Sequence, residues 1–279
     1  MNFVTCNLVG PSTIGGVHYF GLANQMFQVA TAISYGKENN LTPIFPMLND
    51  KKYGNYTDNI FRKLSLDEYK SEDIKLHYHE PSFSFKKIPS NINVKLDGYF
   101  QSEKYFLTNR DLILDTFTPT NEILNYIKSK YKSILEDSIS VHLRYGDYEK
   151  MQDHHPLISK SNYYENILKI NKRNNILIFS DNIKKAKRVK AFKNHEIHFI
   201  HSENEVTDLF LMSMCNDNAI ANSSFSWWGA WLNNNPKKKV YAPTVWFGPA
   251  KSDYDTKDLL PENWIKVESK FKKNIFELF

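Results

Sequence analysis

The chain of 279 residues is poor in the residues that staple small secreted folds. It has two cysteines, Cys6 and Cys215, too few for a disulfide framework and without a Cys-x-x-Cys pair for zinc. A reducing compartment is the simpler inference. Ten glycines and eleven prolines exclude a collagen-like or linker-dominated chain. No apolar run reaches membrane-spanning length, and the N-terminal Met-Asn-Phe-Val-Thr-Cys lacks a basic segment leading into a hydrophobic one. Together these absences predict a cytoplasmic, non-spanning protein. Neither sign of charge dominates: 36 Lys+Arg against 31 Asp+Glu leave +5, a mild preference for anionic partners such as nucleotides, phosphates or acidic lipid surfaces. Nucleic acid is not among the expected partners. What remains is a globular composition, 41% hydrophobic and 24% charged, with length enough for one large domain or two modest ones.

From Ser138 onward, short runs rich in β-branched residues alternate with helical patterns, the signature of an α/β fold with a parallel sheet. Candidate strands cover 139–143, 176–179, 197–200, 219–221 and 240–242, each ending in a polar or small cluster. In a doubly wound sheet ligands lie outside those carboxyl ends. The first half predicts a strand over 3–8, a loop containing Gly15, Gly16 and Gly21, a helix over about 24–38 and a strand near 41–45. A mostly irregular stretch over 50–90 follows, then a strand over 94–100 and a helix over 121–135. The boundary is placed at 136, giving domains 1–136 and 137–279.

Two segments carry the strongest chemical signal. In Ser140-Val141-His142-Leu143-Arg144-Tyr145-Gly146-Asp147-Tyr148, the alternation puts His142 and Arg144 on one face, roughly 7 Å apart at strand rise. An Arg at the carboxyl end of a parallel strand suits a diphosphate, because its planar fork matches phosphate oxygens and keeps its charge. Gly146 permits a tight turn there, and Asp147 offers a carboxylate at the mouth of the site. An edge strand with a wet polar face is the plainer alternative. In Asn222-Ser223-Ser224-Phe225-Ser226-Trp227-Trp228, cap-forming residues open a helix, whose free N–H groups suit phosphate oxygens or simply start an ordinary helix.

Weaker signals surround these. Ser202-Glu203-Asn204-Glu205 reads as a capping box, followed by a buried helix carrying Asp208, whose carboxylate needs a donor: a guanine edge, an internal Arg or a helix-start amide. The Gly15 to Gln28 loop and Asn24 bring amides toward a ligand or merely add flexibility. Trp227, Trp228 and Trp231 fit core packing better than sugar stacking. Asp253-Tyr254-Asp255 imitates a metal motif in a polar tail, and His195 and His198 point to opposite strand faces, so no metal site is expected. Lys184, Lys185, Lys187, Arg188, Lys190 and Lys193 on one predicted helix form a solvated face, with peripheral docking on acidic membrane as the second reading.

The chain resembles glycosyltransferase family 11, the α-1,2-fucosyltransferases, especially short bacterial members. Gly21 to Gln28 is similar to the family's Gly-Asn-Gln-Met-Phe-Gln loop, and His142 to Tyr148 to its His-x-Arg-Arg-Gly-Asp-Tyr segment. Phe179-Ser180-Asp181 matches a strand end, and Asp208 through Trp231 the most diagnostic block. The resemblance implies a GT-B architecture, two Rossmann-like domains facing across a cleft, the first on the acceptor side and the second holding the donor. It further implies inverting, metal-independent transfer of L-fucose from GDP-β-L-fucose to the 2-hydroxyl of a galactoside, with no other cofactor. Residue by residue, Arg144 takes the β-phosphate, His142 the nucleoside side and Asp208 the guanine edge. Ser223, Ser224 and Phe225 take the diphosphate and ribose region, and Asn24 reaches the donor from the first domain. Asp147 is the candidate base. Cell-surface polysaccharide assembly, at the inner face of the membrane, follows from family habit. Two departures stand out: Tyr145 occupies the position of a second Arg, and Ala23 that of a Gly. Another GDP-sugar transferase of different linkage, or a nucleotide- or glycan-binding protein without turnover, are the alternatives.

Overall fold

A computed structural model describes residues 2–6, 8, 21–46, 56–193, 195–201 and 204–271. The chain forms two compact units. The first comprises Met1–Thr120 with Tyr254–Pro261, the second Asn121–Asp253 with Glu262–Phe279.

In the first unit, β1 (Phe3–Cys6), α1 (Leu22–Asn39), β2 (Thr42–Pro43), β3 (Leu76–His79), β4 (Val94–Asp97) and α2 (Arg110–Thr116) follow in order. The strands run parallel in the order β2-β1-β4-β3. Helix α1 buries Met26, Phe27, Val29 and Ala30 completely and packs on β1. It stops at Asn40, which turns left-handed at φ 54° and donates its N–H to the Gly36 carbonyl, a common helix ending. Strand β4 stops at Asp97, short of the expected 100, because the next residues leave the extended region: Gly98 has φ 158° and Phe100 φ 51°. Glu80 pins that turn, its Oε2 accepting from the N–H groups of Tyr99 (2.7 Å) and Phe100 (3.0 Å). The expected strand at 41–45 shrinks to β2 plus a single bridge from Phe45 to Leu66. Strand β3 was not foreseen, since its side chains alternate between half-buried and exposed and show no apolar run.

The second unit holds α3 (Asn121–Leu135), β5 (Ser138–Leu143), α4 (Tyr163–Ile170), β6 (Asn175–Ser180), α5 (Ile183–Ala186), β7 (Ile197–Phe199), α6 (Glu205–Ser213), β8 (Asp217–Ala219), α7 (Ser224–Trp231), β9 (Val240–Pro243) and β10 (Ile265–Val267). Its strands form a parallel sheet in the order β10-β9-β8-β5-β6-β7. The core gathers Ile139, Val141, Leu143, Tyr163, Tyr164, Ile176 and Ile178. Every residue of β5 is buried, as a central strand covered on both faces requires, so the edge-strand alternative falls.

The division falls at 120 rather than 136. Helix α3 buries Ile127 and Tyr131 against α6 and β6, so it belongs with the second sheet. Residues 254–261 return to the first unit, where Asp258 accepts from the Phe85 N–H and pairs with Lys104 (2.7 Å). Strand β8 sits two residues before the expected 219–221, and its first residue, Asp217, pairs with Arg173. The lysine-rich helix is also corrected: α5 ends at Ala186 and Val189 is extended, so the six cations share no single helical face. Lys185 pairs instead with Glu149.

Candidate functional site

The strand order of the second unit reverses at β5: β6 and β7 extend the sheet one way, β8, β9 and β10 the other. At such a switch point the loops leaving adjacent strands diverge and open a crevice at the carboxyl ends. Arg144 follows β5, Asp181 follows β6, and the Asn222-Ser223 turn links β8 to α7. These three loops bring together residues far apart in sequence.

Arg144 is the centre of the arrangement. Its Nη1 donates to Asp181 Oδ2 (2.7 Å) and its Nη2 to Asp147 Oδ1 (2.6 Å), while the side chain stays about one-third exposed. Burial works against its charge, but Asp181 and Asp147 more than offset this and hold the guanidinium firmly protonated. Asp181 also accepts from the Tyr145 N–H through Oδ1 (2.9 Å), so one carboxylate orders both the cation and the turn that bears it. Gly146 is required beneath them. It adopts φ 37°, and a Cβ there would stand 2.7 Å from Asp181 Oδ2.

His142 lies buried beside Arg144, its ring centroid 5.8 Å from that of Phe225. Burial, reinforced by the Arg144 charge, pushes its pKa down to about 3, so the imidazole is neutral. Its Nδ1 has no hydrogen-bond partner among the described residues. A buried polar atom left without a partner needs a specific explanation. Ser223 and Ser224 begin α7, Ser223 in extended conformation as its N-cap with no side-chain capping bond. Phe225, in the first turn of α7, thus neighbours the His142 ring.

The remaining expected residues divide. Asp208 stands half-buried in the first turn of α6, a position that suits a carboxylate at the positive end of a helix. The cap of that helix is Asn204, whose Oδ1 accepts from Thr207 N–H (2.8 Å), replacing the expected box begun at Ser202; Ser202 and Glu203 lie outside the described residues. Asn24 belongs to the first unit, near the start of α1, where its Oδ1 accepts from Gln101 Nε2 (2.9 Å). Gly15 and Gly16 lie outside the described residues, and Ala23 is an ordinary helical residue needing no glycine. Tyr145 turns its side chain into the core with Leu157, Tyr163 and Tyr164, so it supplies no polar group in place of the family's second Arg.

Trp227, Trp228 and Trp231 are core residues: Trp227 stacks on Trp231, meets Trp228 edge-on and packs at a tilt against Trp264, which removes the sugar-stacking reading. Asp255 pairs with Lys257 (2.8 Å), and Tyr254 stacks on Phe83. Three participants escaped the sequence reading. Asp181 was seen only as a strand end, Tyr148 only as a motif letter, and His155, stacked on Tyr148 with centroids 4.5 Å apart, carried no signal in its neighbourhood.

The comparisons decide the family. The profile of glycosyl transferase family 11 matches residues 11–268. The chain belongs to glycosyl transferase family 11. As a member, it is a glycosyltransferase. It is 30% identical over 283 residues to an alpha-1,2-colitosyltransferase of Escherichia coli, covering 89% of this chain and 96% of that protein. It is 33% identical over 192 residues to the O-antigen biosynthesis glycosyltransferase WbnK of Escherichia coli, 62% of this chain and 60% of that one. Among solved structures, it is similar to the NodZ alpha-1,6-fucosyltransferase soaked with GDP-fucose: TM-score 0.52, 14% identity, 83% of this chain and 92% of that one. At that identity the likeness speaks for the fold alone. The two parallel-sheet units are those of a GT-B-type glycosyltransferase. Among the described residues, no helix is long and apolar enough to cross a membrane.

Proposed function

We propose that this family 11 glycosyltransferase moves L-fucose from GDP-β-L-fucose to the 2-hydroxyl of a galactoside in a glycan, with inversion and without a metal ion. The observation that carries the reading is Arg144, held at the switch point by Asp181 beside the opening turn of α7. The galactose 2-hydroxyl attacks the anomeric carbon as its bond to the β-phosphate oxygen breaks, and GDP leaves with the electron pair. Negative charge grows on the diphosphate, where Arg144 and the N–H groups of Ser224 and Phe225 meet it. His142, neutral and with Nδ1 uncommitted, faces the nucleoside. Asp208 receives the guanine edge. Asp147 takes the proton of the attacking hydroxyl; its present tie to Arg144 at 2.6 Å has to loosen as phosphate oxygens claim Nη2.

A second donor is favoured by one observation, the likeness over most of the chain to a colitosyltransferase. Colitose is L-fucose without its 3-hydroxyl, so the two readings differ by one hydrogen-bonding group on the sugar. The test incubates the protein with GDP-fucose or GDP-colitose and a lactose-type acceptor, with and without EDTA, and follows GDP release and product linkage. GDP release with α-1,2 product from GDP-fucose, unaffected by EDTA, supports the main reading. A kcat/KM favouring GDP-colitose by tenfold or more moves the assignment to that donor, and binding of GDP with no release from either donor points to a non-catalytic binder.

A further inference from the structure

The phosphate-facing groups come from two loops, the one after β5 that carries Arg144 and the one after β8 that opens α7, and something has to keep them in register. Among the described residues, Tyr148 touches both. Its ring lies under the Arg144 guanidinium, with Cζ 5.5 Å from the ring centroid. Its hydroxyl donates to the Asn222 carbonyl (3.0 Å), one residue before the N-cap of α7. On its other side the His155 ring stacks nearly parallel, centroids 4.5 Å apart and planes at 17°. His155 is backed in turn by Phe247 (5.5 Å). The Asn222 amide donates to the carbonyls of Pro156 and Trp246, both at 3.0 Å, which ties the same turn to the loops that carry His155 and Phe247. The result is a stack from cation to aromatic wall, with one polar handle on the α7 turn.

We infer that Tyr148 is a positioning residue, a mechanical link that sets the guanidinium of Arg144 against the first turn of α7 so that one diphosphate meets both. The inference rests on the reading of this site as a nucleoside-diphosphate site. A ring beside the guanidinium limits where the cation can settle without itself taking up any of its N–H donors. The hydroxyl adds what a phenylalanine lacks, a fixed distance from the ring to the Asn222 backbone. Such alignment matters because a diphosphate that meets its second set of donors out of place loses that interaction rather than weakening it in proportion.

The test measures GDP binding by isothermal titration calorimetry for the full chain and for Tyr148→Phe, Tyr148→Leu and Tyr163→Phe, with the melting temperature of each. Tyr163 is the stability control: its hydroxyl donates to the carbonyls of Ile220 (2.7 Å) and Tyr241 (2.8 Å) inside the core of the same sheet, and it has no part in the site. Tyr148→Phe keeps the ring and loses the handle, so GDP affinity falls about threefold to tenfold, the effect of one neutral hydrogen bond. Tyr148→Leu loses both, and affinity falls about thirtyfold or more. Tyr163→Phe lowers the melting temperature at least as much as Tyr148→Phe but leaves GDP affinity within about twofold, because the two bonds it loses lie in the core. The inference is overturned by Tyr148→Phe binding GDP as the parent does, or by Tyr163→Phe weakening GDP as much as Tyr148→Phe, since affinity then merely tracks stability. A parent chain that binds GDP but transfers neither sugar overturns the proposed reaction and not this link; one that does not bind GDP overturns both.

Discussion

Asp181, just past the end of β6, holds Arg144, just past the end of β5, at 2.7 Å, and with its second oxygen it holds the Tyr145 N–H. The pairing exists because β5 and β6 run parallel in register, with Leu143 opposite Ser180, so the residues that follow both strands emerge side by side.

Replacing Arg144 by Ala removes the charge that meets the leaving diphosphate, so kcat/KM is expected to fall by about a hundredfold or more. The fold should survive, since a partly exposed ion pair contributes about 1 kcal/mol or less. Steady-state kinetics and a melting curve on the same sample check both halves; an Arg144→Ala protein that turns over normally disproves the role.

Gly146→Ala places a methyl group against Asp181 Oδ2 at a backbone angle that L residues avoid. The strain is about 1–2 kcal/mol, and the displaced carboxylate frees Arg144 to swing. Activity should therefore drop toward that of Asp181→Asn while most of the stability is kept. Donor KM measured for both variants tests the parallel.

Trp227→Ala opens a large void among Trp228, Trp231 and Trp264, a loss of about 3–5 kcal/mol. Urea denaturation should show it directly. A sugar-stacking role would instead leave the midpoint in place and raise acceptor KM.

Stability should depend on pH in two opposed ways. His142 and His155 have pKa values pushed down to about 3 and about 4, chiefly by burial. The unfolded chain, titrating near the ordinary imidazole value of 6.5, binds more protons than the native one below that pH, so their contribution is present above about pH 6.5 and is lost as the pH falls. Glu80 has the opposite sign. Burial raises it from 4.5 to about 7, so the native state keeps a proton the unfolded state has released, and stability from this group declines as pH rises from 4.5 to 7. Glu80→Gln, which retains an oxygen for the Tyr99 and Phe100 N–H groups, should gain stability relative to the parent at pH 8 and not at pH 4. Urea midpoints at the two values decide it.

Much of this fold was legible because local pattern and tertiary need agree. Helix α3 spans 121–135 as its apolar spacing implies, and β5 and β6 appear within a residue or so of their apolar runs. Arg144 and the Ser223 turn were likewise visible, since chemistry-bearing residues past a strand end are what a parallel sheet displays, and His142 stood out as a polar residue near the end of β5. The rest depended on pairings that one-dimensional spacing does not encode. Asp181 is 37 residues from Arg144, and Tyr148 lies 74 from Asn222. Strand β10 is short and half exposed and exists only by pairing with β9. The cationic helix failed because charge rows alone do not stop a chain from turning extended at Val189.

The return of residues 254–261 to the first unit makes neither unit a contiguous stretch of the gene. On the ribosome, the first sheet emerges long before Asp258 exists to receive the Phe85 amide and the Lys104 ammonium. Its maturation therefore has to wait until nearly the entire polypeptide has been translated, and a fragment ending at Thr120 should leave the exit tunnel as an incomplete, aggregation-prone half.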